Sequence, residues 1–302
     1  MHAALAILPN FLLILVGFVL SRRFDYGRGF WEGLEKLVYY VLFPALLFRS
    51  LATAQIDLAK TGVVVGAAVA FTVAGMLLAL PARRIFRLES RLAASCFQCA
   101  FRFNTYVGLA VAGSLFGSTG LALAALVMGV MIPLVNIAAV AMLASGSGRG
   151  VVAELVRNPL LLSTVAGFLW NALGLPLPAF ADQTLNLLAQ TALPAGLLSV
   201  GAALRMERGS DQGPVSAHAY WLSIKLLVLP LIAWGLARAL GLAPAETAIL
   251  VLAAALPTAS SAYILAVRMG GTGDPVATQI TLGTLLSMIT IPAWIAWLEL
   301  AR

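Results

Sequence analysis

Apolar segments long enough to cross a lipid bilayer recur along the whole sequence. The chain has 302 residues, of which 61% are hydrophobic and 10% are charged, whereas soluble domains carry about 25% charged residues. A transmembrane helix needs about 20 consecutive, mainly apolar residues. The sequence therefore predicts an all-α, polytopic membrane protein with ten transmembrane helices, because runs of roughly that length occupy residues 3–20, 34–53, 61–80, 92–116, 119–144, 159–174, 183–204, 217–240, 245–268 and 275–299.

The positions of the lysines and arginines predict how the chain is oriented in the membrane. A net charge of +7 would also suit a nucleic-acid-binding protein, but the basic residues are spread over short linkers instead of forming one patch. The linkers after runs one, three, five and seven hold twelve of them, whereas the alternate linkers and the C-terminus hold three. Positive residues mark the cytoplasmic side, so both termini are expected outside the cytoplasm. The expected partner is the lipid bilayer and not a nucleic acid.

Short matches between the two halves of the sequence indicate an internal repeat. They relate residues 11–18 to 161–168 and 42–45 to 192–195 at an offset of 150, 109–111 to 265–267 at 156, and 131–133 to 290–292 at 159. A repeat of five helices is odd-numbered, so its second copy enters the membrane in the opposite direction. We therefore expect two inverted five-helix repeats, residues 1–145 and 159–302, joined by a cytoplasmic linker of residues 146–158 that is rich in glycine and serine at its start.

Pro257 lies in the middle of the ninth apolar run and is followed by hydroxyl-bearing residues. Proline has no N–H and clashes with the preceding helical turn, so the helix is expected to open there. Backbone groups freed at membrane depth are tolerated where they face protein or a water-filled cavity. Thr258, Ser260 and Ser261 would supply neutral donors beside this opening, and Tyr263 would either line the site or fill space.

Arg102 is the most informative charged residue, because it lies about eleven residues after Arg91, or ~16 Å along a helix, near the middle of the fourth run. A charge at that depth costs several kcal/mol unless it is paired or hydrated, and none of the twelve carboxylates falls near the middle of a run. Arg102 either faces a cavity and attracts an anionic substrate or donates to carbonyls at a helix break. Asn104 and Thr105 follow it, and two such polar interruptions in corresponding halves are typical of a transporter's central site.

Other intramembrane residues leave two interpretations open. Lys225 could bind substrate, but a lysine eight residues into a run can also extend its amine to the cytoplasmic interface, and this second interpretation is favoured. Pro44 and Pro194 occupy equivalent positions in the two halves and either widen the site or make packing kinks. Asn136 is polar and lies within a run, with no predicted orientation.

The motifs of enzymes, cofactor sites and metal sites do not stand out in this sequence. It contains no Gly-x-Ser-x-Gly, no His-Glu-x-x-His and no nucleotide-binding loop, so catalytic residues, cofactors and metals are not expected. Cys96 and Cys99 form a Cys-x-x-Cys pair within an apolar run and are interpreted as small packing residues.

Several motifs together resemble the auxin efflux carrier family over essentially the whole chain. They are Arg102-x-Asn104-x-x-x-Gly108-Leu109, Arg157-Asn158-Pro159, Leu193-Pro194-Ala195 with the following Leu198-Ser199-Val200-Gly201, and Pro257 with its hydroxyl run. The resemblance implies ten helices in two inverted repeats, as in bile-acid sodium symporters, with helices four and nine unwound at a crossing and helices one, two, six and seven as a scaffold. It also implies transport of small organic anions: auxin in plants, and dicarboxylates such as malonate or malate in some bacterial members.

The resulting hypothesis is a bacterial inner-membrane secondary transporter, an efflux carrier or permease of mono- or dicarboxylates. Substrate would bind at the midplane crossing and be released by alternating access. The alternative is a receptor or sensor that uses the same pocket without transport. The sequence leaves open whether membrane potential or protons carried with the substrate drive transport, and whether the protein forms a homodimer.

Overall fold

The computed structural model describes residues 2–24, 26–54, 58–143, 159–204 and 212–300, and these residues form helices and connecting segments without a β-strand. The predicted linker of residues 146–158 lies outside the described residues. The α-helices are α1 (His2–Arg23), α2 (Gly27–Leu37), α3 (Phe43–Ala52), α4 (Leu58–Ala79), α5 (Ala82–Ile85), α6 (Ser90–Phe97), α7 (Thr105–Leu143), α8 (Pro159–Ala172), α9 (Ala179–Ala203), α10 (Val215–Ser223), α11 (Leu229–Ala239), α12 (Pro244–Ala255), α13 (Ser261–Arg268) and α14 (Gly273–Leu300).

Two helical rods contain a π-helical segment, a local widening of the helix that often marks a functional position. Val38–Leu42 joins α2 to α3, and Ile224–Val228 joins α10 to α11. In both rods a proline is the second residue of the α-helix that follows, at Pro44 and Pro230. The helix therefore continues through each widening without ending.

Within the described residues, six helical segments are long and apolar enough to cross a membrane, and Pro159–Ala172 and Pro244–Ala255 are shorter apolar helices. The six are Ala6–Arg23, Gly62–Ile85, Ser90–Leu143, Ala179–Ala203, Val215–Ala239 and Gly273–Leu300. The chain is thus a multi-pass membrane protein.

The segment Ser90–Leu143 folds back on itself at Gly117. Its 54 residues would be far longer than a bilayer is thick if they formed one straight helix. Gly117 instead has φ 62° and ψ −153°, a conformation that glycine adopts without the steric cost of a side chain. The side chains of Arg102 and Asn136 are hydrogen-bonded at 2.8 Å, whereas a straight helix would separate Thr105 from Asn136 by about 46 Å. The fold-back places both arms of this segment beside one site.

The helix pair α1 and α9 and the pair α3 and α8 make the most extensive contacts between elements, and glycines allow both. A Cβ at Gly17 would collide with the carbonyl oxygen of Leu198, and a Cβ at Gly167 would lie 2.6 Å from the carbonyl oxygen of Phe48. The two contacts correspond to each other at the offset of 150. Position 17 in the first contact corresponds to 167 in the second, and position 48 in the second corresponds to 198 in the first. The backbones therefore approach closely at two related places.

Contacts at the ends of the same helices repeat this relation. Arg22 Nη2 donates to the carbonyl oxygen of Leu204 at 3.2 Å. Asn171 Nδ2 donates to the carbonyl oxygen of Ala54 at 2.7 Å. The two acceptors are again 150 residues apart, so in each pair a side chain from the end of one half's first helix satisfies a helix-end carbonyl of the other half.

Candidate functional site

Two interruptions of helical structure contact each other directly. Residues 101–104 separate a short 3-10 turn, Gln98–Ala100, from α7, and residues 256–260 separate α12 from α13. The backbone N–H of Asn104 donates to the carbonyl oxygen of Pro257 at 2.7 Å. The Thr258 hydroxyl donates to the carbonyl oxygen of Cys99 at 2.9 Å. Backbone groups released by each interruption are thus partly satisfied by the other.

Each interruption has a local chemical cause. At the second, Leu256 is extended with φ −62° and ψ 142°, as expected for a residue that precedes proline. At the first, no proline is present, and the new helix begins because Asn104 Oδ1 accepts from the backbone N–H groups of Tyr106 at 3.0 Å and Val107 at 3.3 Å. This is the bonding pattern of an N-cap residue.

The Arg102 side chain lies at this contact and is only 9% exposed. Its Nη1 donates to Gln98 Oε1 at 2.8 Å, its Nη2 to Asn136 Oδ1 at 2.8 Å, and its Nε to Ser261 Oγ at 3.3 Å. These three acceptors are neutral, and they come from the turn before the first interruption, from the second arm of α7 and from the start of α13. The guanidinium therefore joins three separate parts of the fold at one point.

Gln98 belongs to this cluster, although it is not among the site residues selected from the sequence. It is fully buried, and its Nε2 donates to the carbonyl oxygen of Ala262 at 3.2 Å while its Oε1 holds Arg102. The spacing of four residues between Gln98 and Arg102 was the available signal, because side chains at i and i+4 share a helix face.

The helix ends around the contact create an electrostatic environment that favours an anion. Thr105 and Ser261 begin α7 and α13, and helix N-termini carry a partial positive charge. Ser261 is exposed, whereas Asn104 and Thr258 are 3% and 2% exposed. The guanidinium and the two positive helix ends consequently lie close to a part of the cluster that remains accessible.

The other residues that the sequence analysis selected are distributed around this cluster. Thr105 and Ser260 are half-buried at the borders of the interruptions, and the Tyr263 ring packs close to the backbone of Gly273. Pro44 is half-buried and Pro194 is exposed. Each proline lies within two residues of a contact of Tyr106: the Phe43 ring is 4.3 Å from its ring, and a Cβ on Gly196 would be 3.4 Å from it.

The favoured interpretation of Lys225 is wrong, because its amine does not extend to an interface. Lys225 is 1% exposed, and Nζ donates to the carbonyl oxygen of Ala254 at 3.0 Å. This carbonyl belongs to the last turn of α12, where the interruption at Pro257 removes helical N–H donors. A partial negative charge at the helix C-terminus draws the amine inward, which a count of residues from the end of the run does not reveal.

Comparison with known proteins places the sequence among transporters. The profile of the membrane transport protein family, to which the auxin efflux carriers belong, matches residues 2–154 and 147–295. An uncharacterized transporter of Methanothermobacter thermautotrophicus is 27% identical over 95% of this chain and 96% of its own length. The "Putative malonate transporter" of Rhizobium meliloti is 26% identical over 94% of this chain and 92% of its own length. The uncharacterized transporter YfdV of Escherichia coli K12 is 25% identical over 96% of this chain and 95% of its own length.

These matches extend over nearly the full length of each relative as well as of this chain. They agree with the apolar helices and with the family resemblance drawn from the sequence. The chain belongs to the membrane transport protein family that includes the auxin efflux carriers.

Proposed function

We propose that this protein is a secondary transporter of small organic anions, namely mono- or dicarboxylates of the size of malonate or malate. The observation that carries the proposal is the buried guanidinium of Arg102 at the contact between two helix interruptions. A buried ionisable residue among membrane-spanning helices marks a substrate or ion pathway by default.

The proposed architecture is ten transmembrane helices in two inverted five-helix repeats, with the fourth and ninth spans crossing at the interruptions. The paired contacts at an offset of 150 support it, because Gly17 with Leu198 and Gly167 with Phe48 exchange partners as a two-fold relation between halves requires. The shorter helices α8 and α12 would then complete spans six and nine. Both termini would lie outside the cytoplasm of a bacterial inner membrane, as the charge distribution predicts.

The proposed substrate is a carboxylate because the site offers donors and positive potential together. Guanidinium groups bind carboxylates through two parallel N–H donors, and the Nη1 and Nη2 atoms of Arg102 are held by the neutral oxygens of Gln98 and Asn136. A carboxylate would replace these two acceptors. The proposed binding residues are Arg102, Asn104, Thr105, Asn136, Pro257, Thr258, Ser260, Ser261 and Tyr263, with Pro44 and Pro194 shaping one wall.

The proposed mechanism is alternating access at this one site. Contacts of α1 with α9 and of α3 with α8 are close and glycine-dependent, as suits a scaffold that moves as one body. The interrupted spans and their neighbours would rock against that scaffold. The substrate, bound near the interruptions, would be exposed first to one side of the membrane and then to the other.

The test is uptake of radiolabelled malonate and malate into proteoliposomes by the wild type and by Arg102→Gln. Loss of a charge-assisted hydrogen bond is worth about 1.5–3 kcal/mol, so initial uptake at low substrate concentration should fall roughly 10- to 100-fold. Arg238→Gln, which removes an exposed arginine at the end of α11, is the matched control and should transport normally. Normal uptake by a folded Arg102→Gln protein would refute the proposed site, and anion binding without any flux would favour a receptor.

A further inference from the structure

Lys225 is a buried basic group that the proposed anion site does not use. It lies in the π-helical segment Ile224–Val228 in the middle of a rod that runs from Val215 to Ala239. Its side chain is 1% exposed, and Nζ donates to the Ala254 carbonyl oxygen at 3.0 Å. The amine therefore touches the N-terminal side of the interruption at Pro257, whereas Arg102 touches the C-terminal side through Ser261.

The described residues offer Nζ fewer acceptors than an ammonium ion can use. An ammonium has three N–H donors, and among the residues that the structure describes Nζ has one hydrogen-bond acceptor, the Ala254 carbonyl. A buried charge is costly unless it is paired and fully hydrogen-bonded. An anion arriving at the adjacent interruption would supply the missing negative charge. A proton on the amine and an anion at the interruption would therefore stabilise each other.

Titratable groups on the elements around Lys225 do not replace that anion. The π-helical segment packs against α4, the 3-10 turn, α12 and α14, and it continues into α10 and α11. The carboxylates on these helices lie at helix ends: Glu246 and Asp274 are in first turns, and Glu299 is next to last in α14. The remaining titratable or charged side chains on these elements and directly after the turn are Lys60, Cys99, Arg102, His218, Tyr220 and Arg238.

Two of these groups have partners of their own. The Tyr220 hydroxyl donates to the Leu78 carbonyl oxygen, and the His218 ring lies between the Gln212 carbonyl and the Gln279 amide. Lys225, in contrast, contacts the last helical turn before the interruption through its amine.

We propose that Lys225 is the proton-carrying group of this transporter, so that one proton crosses the membrane with each substrate anion. This rests on the anion transport proposed above. A proton from the aqueous phase adds to the neutral amine as the anion binds, and after reorientation both are released and the neutral amine is restored. Binding of anion and binding of proton strengthen each other by the same factor. No intramembrane carboxylate is required for this coupling.

The experiment compares proton-driven accumulation with exchange in proteoliposomes, using radiolabelled malonate and a membrane potential clamped at zero with potassium and valinomycin. With the outside one pH unit more acidic, the wild type should accumulate malonate up to about tenfold. Lys225→Gln keeps a donor for the Ala254 carbonyl but has no titratable proton. It should lose this accumulation and bind malonate more weakly, because the coupled proton is gone. At saturating internal malonate and equal pH it should still catalyse counterflow, within about threefold of the wild-type maximal rate.

Two further variants sharpen the test. Lys225→Arg carries a fixed charge and should also exchange malonate without responding to the pH gradient. Lys36→Gln removes an exposed lysine and should behave as the wild type.

Accumulation that survives in Lys225→Gln would overturn the inference, because the proton would then travel on the substrate itself. Loss of counterflow in both Lys225→Gln and Lys225→Arg would also overturn it and would assign the lysine to substrate binding or to the fold. If the wild type shows counterflow but no proton-driven accumulation, the proposed role of Lys225 is overturned and anion transport is not. Absence of wild-type counterflow with malonate and malate contradicts anion transport itself.

Discussion

Replacing Asn136 by aspartate should convert a neutral partner of Arg102 into a permanent competitor of the substrate. Asn136 Oδ1 already accepts from Arg102 Nη2 at 2.8 Å, and aspartate has nearly the same shape. The substitution therefore places a carboxylate on the guanidinium without rebuilding the site. An anionic substrate would then have to displace a charged group where it now displaces an amide oxygen.

The magnitude follows from the geometry. Two unit charges about 4 Å apart interact with about 4 kcal/mol at an effective dielectric constant of about 20. Desolvation of the new carboxylate offsets part of that gain. If about half of the electrostatic gain of the new carboxylate on Arg102 remains, the substrate anion loses about 2 kcal/mol of binding free energy, which corresponds to a roughly 30-fold higher Kd.

The assay is equilibrium binding of radiolabelled malonate to purified protein in detergent, together with the thermal unfolding midpoint. Asn136→Asp should raise Kd roughly 30-fold and leave the midpoint unchanged or higher, since the new pair links two arms of the fold. Gln183→Glu adds the same charge at an exposed position near the start of α9 and should leave Kd unchanged. Unchanged affinity in folded Asn136→Asp would refute the reasoning that the substrate anion neutralises Arg102.

Two further predictions concern stability. Gly17→Ala puts a methyl group onto the carbonyl oxygen of Leu198 and should lower the unfolding free energy by about 1–3 kcal/mol, measured as a lower thermal unfolding midpoint. Gly235→Ala, where a Cβ meets no atom within 4 Å, is the matched control. Equal midpoints in the two variants would contradict the close packing at Gly17. Thr258→Val removes the hydroxyl that donates from one interruption to the other at 2.9 Å and should lower the unfolding free energy by about 1–3 kcal/mol. Thr258→Ser keeps the hydroxyl and should retain most of that stability. A valine variant as stable as the wild type would show that this hydrogen bond is dispensable.

The sequence contains enough information to locate the interruption at Pro257, because proline acts on its own backbone and on the residue before it. The polar stretch after Arg102 could be located in the same way, since a charge at membrane depth must be accommodated. The residues that these groups contact could not be located from the sequence in this way. That Arg102 meets Asn136 depends on the fold-back at Gly117, and glycine in an apolar run fits both a turn and close helix packing.

Lys225 shows why depth along a run does not by itself predict where a charged side chain points. A lysine eight residues from the start of a run is close enough to an interface for its amine to reach it. If the neighbouring helix were uninterrupted, the conformation with the amine at the interface would have the lower free energy. Here the neighbouring helix α12 ends at Ala255, within an apolar run, so the amine meets a helix-end carbonyl that carries a partial negative charge. The position of the lysine therefore depends on a helix end that lies 29 residues later in the chain. The proton coupling proposed for Lys225 requires this contact between the two elements.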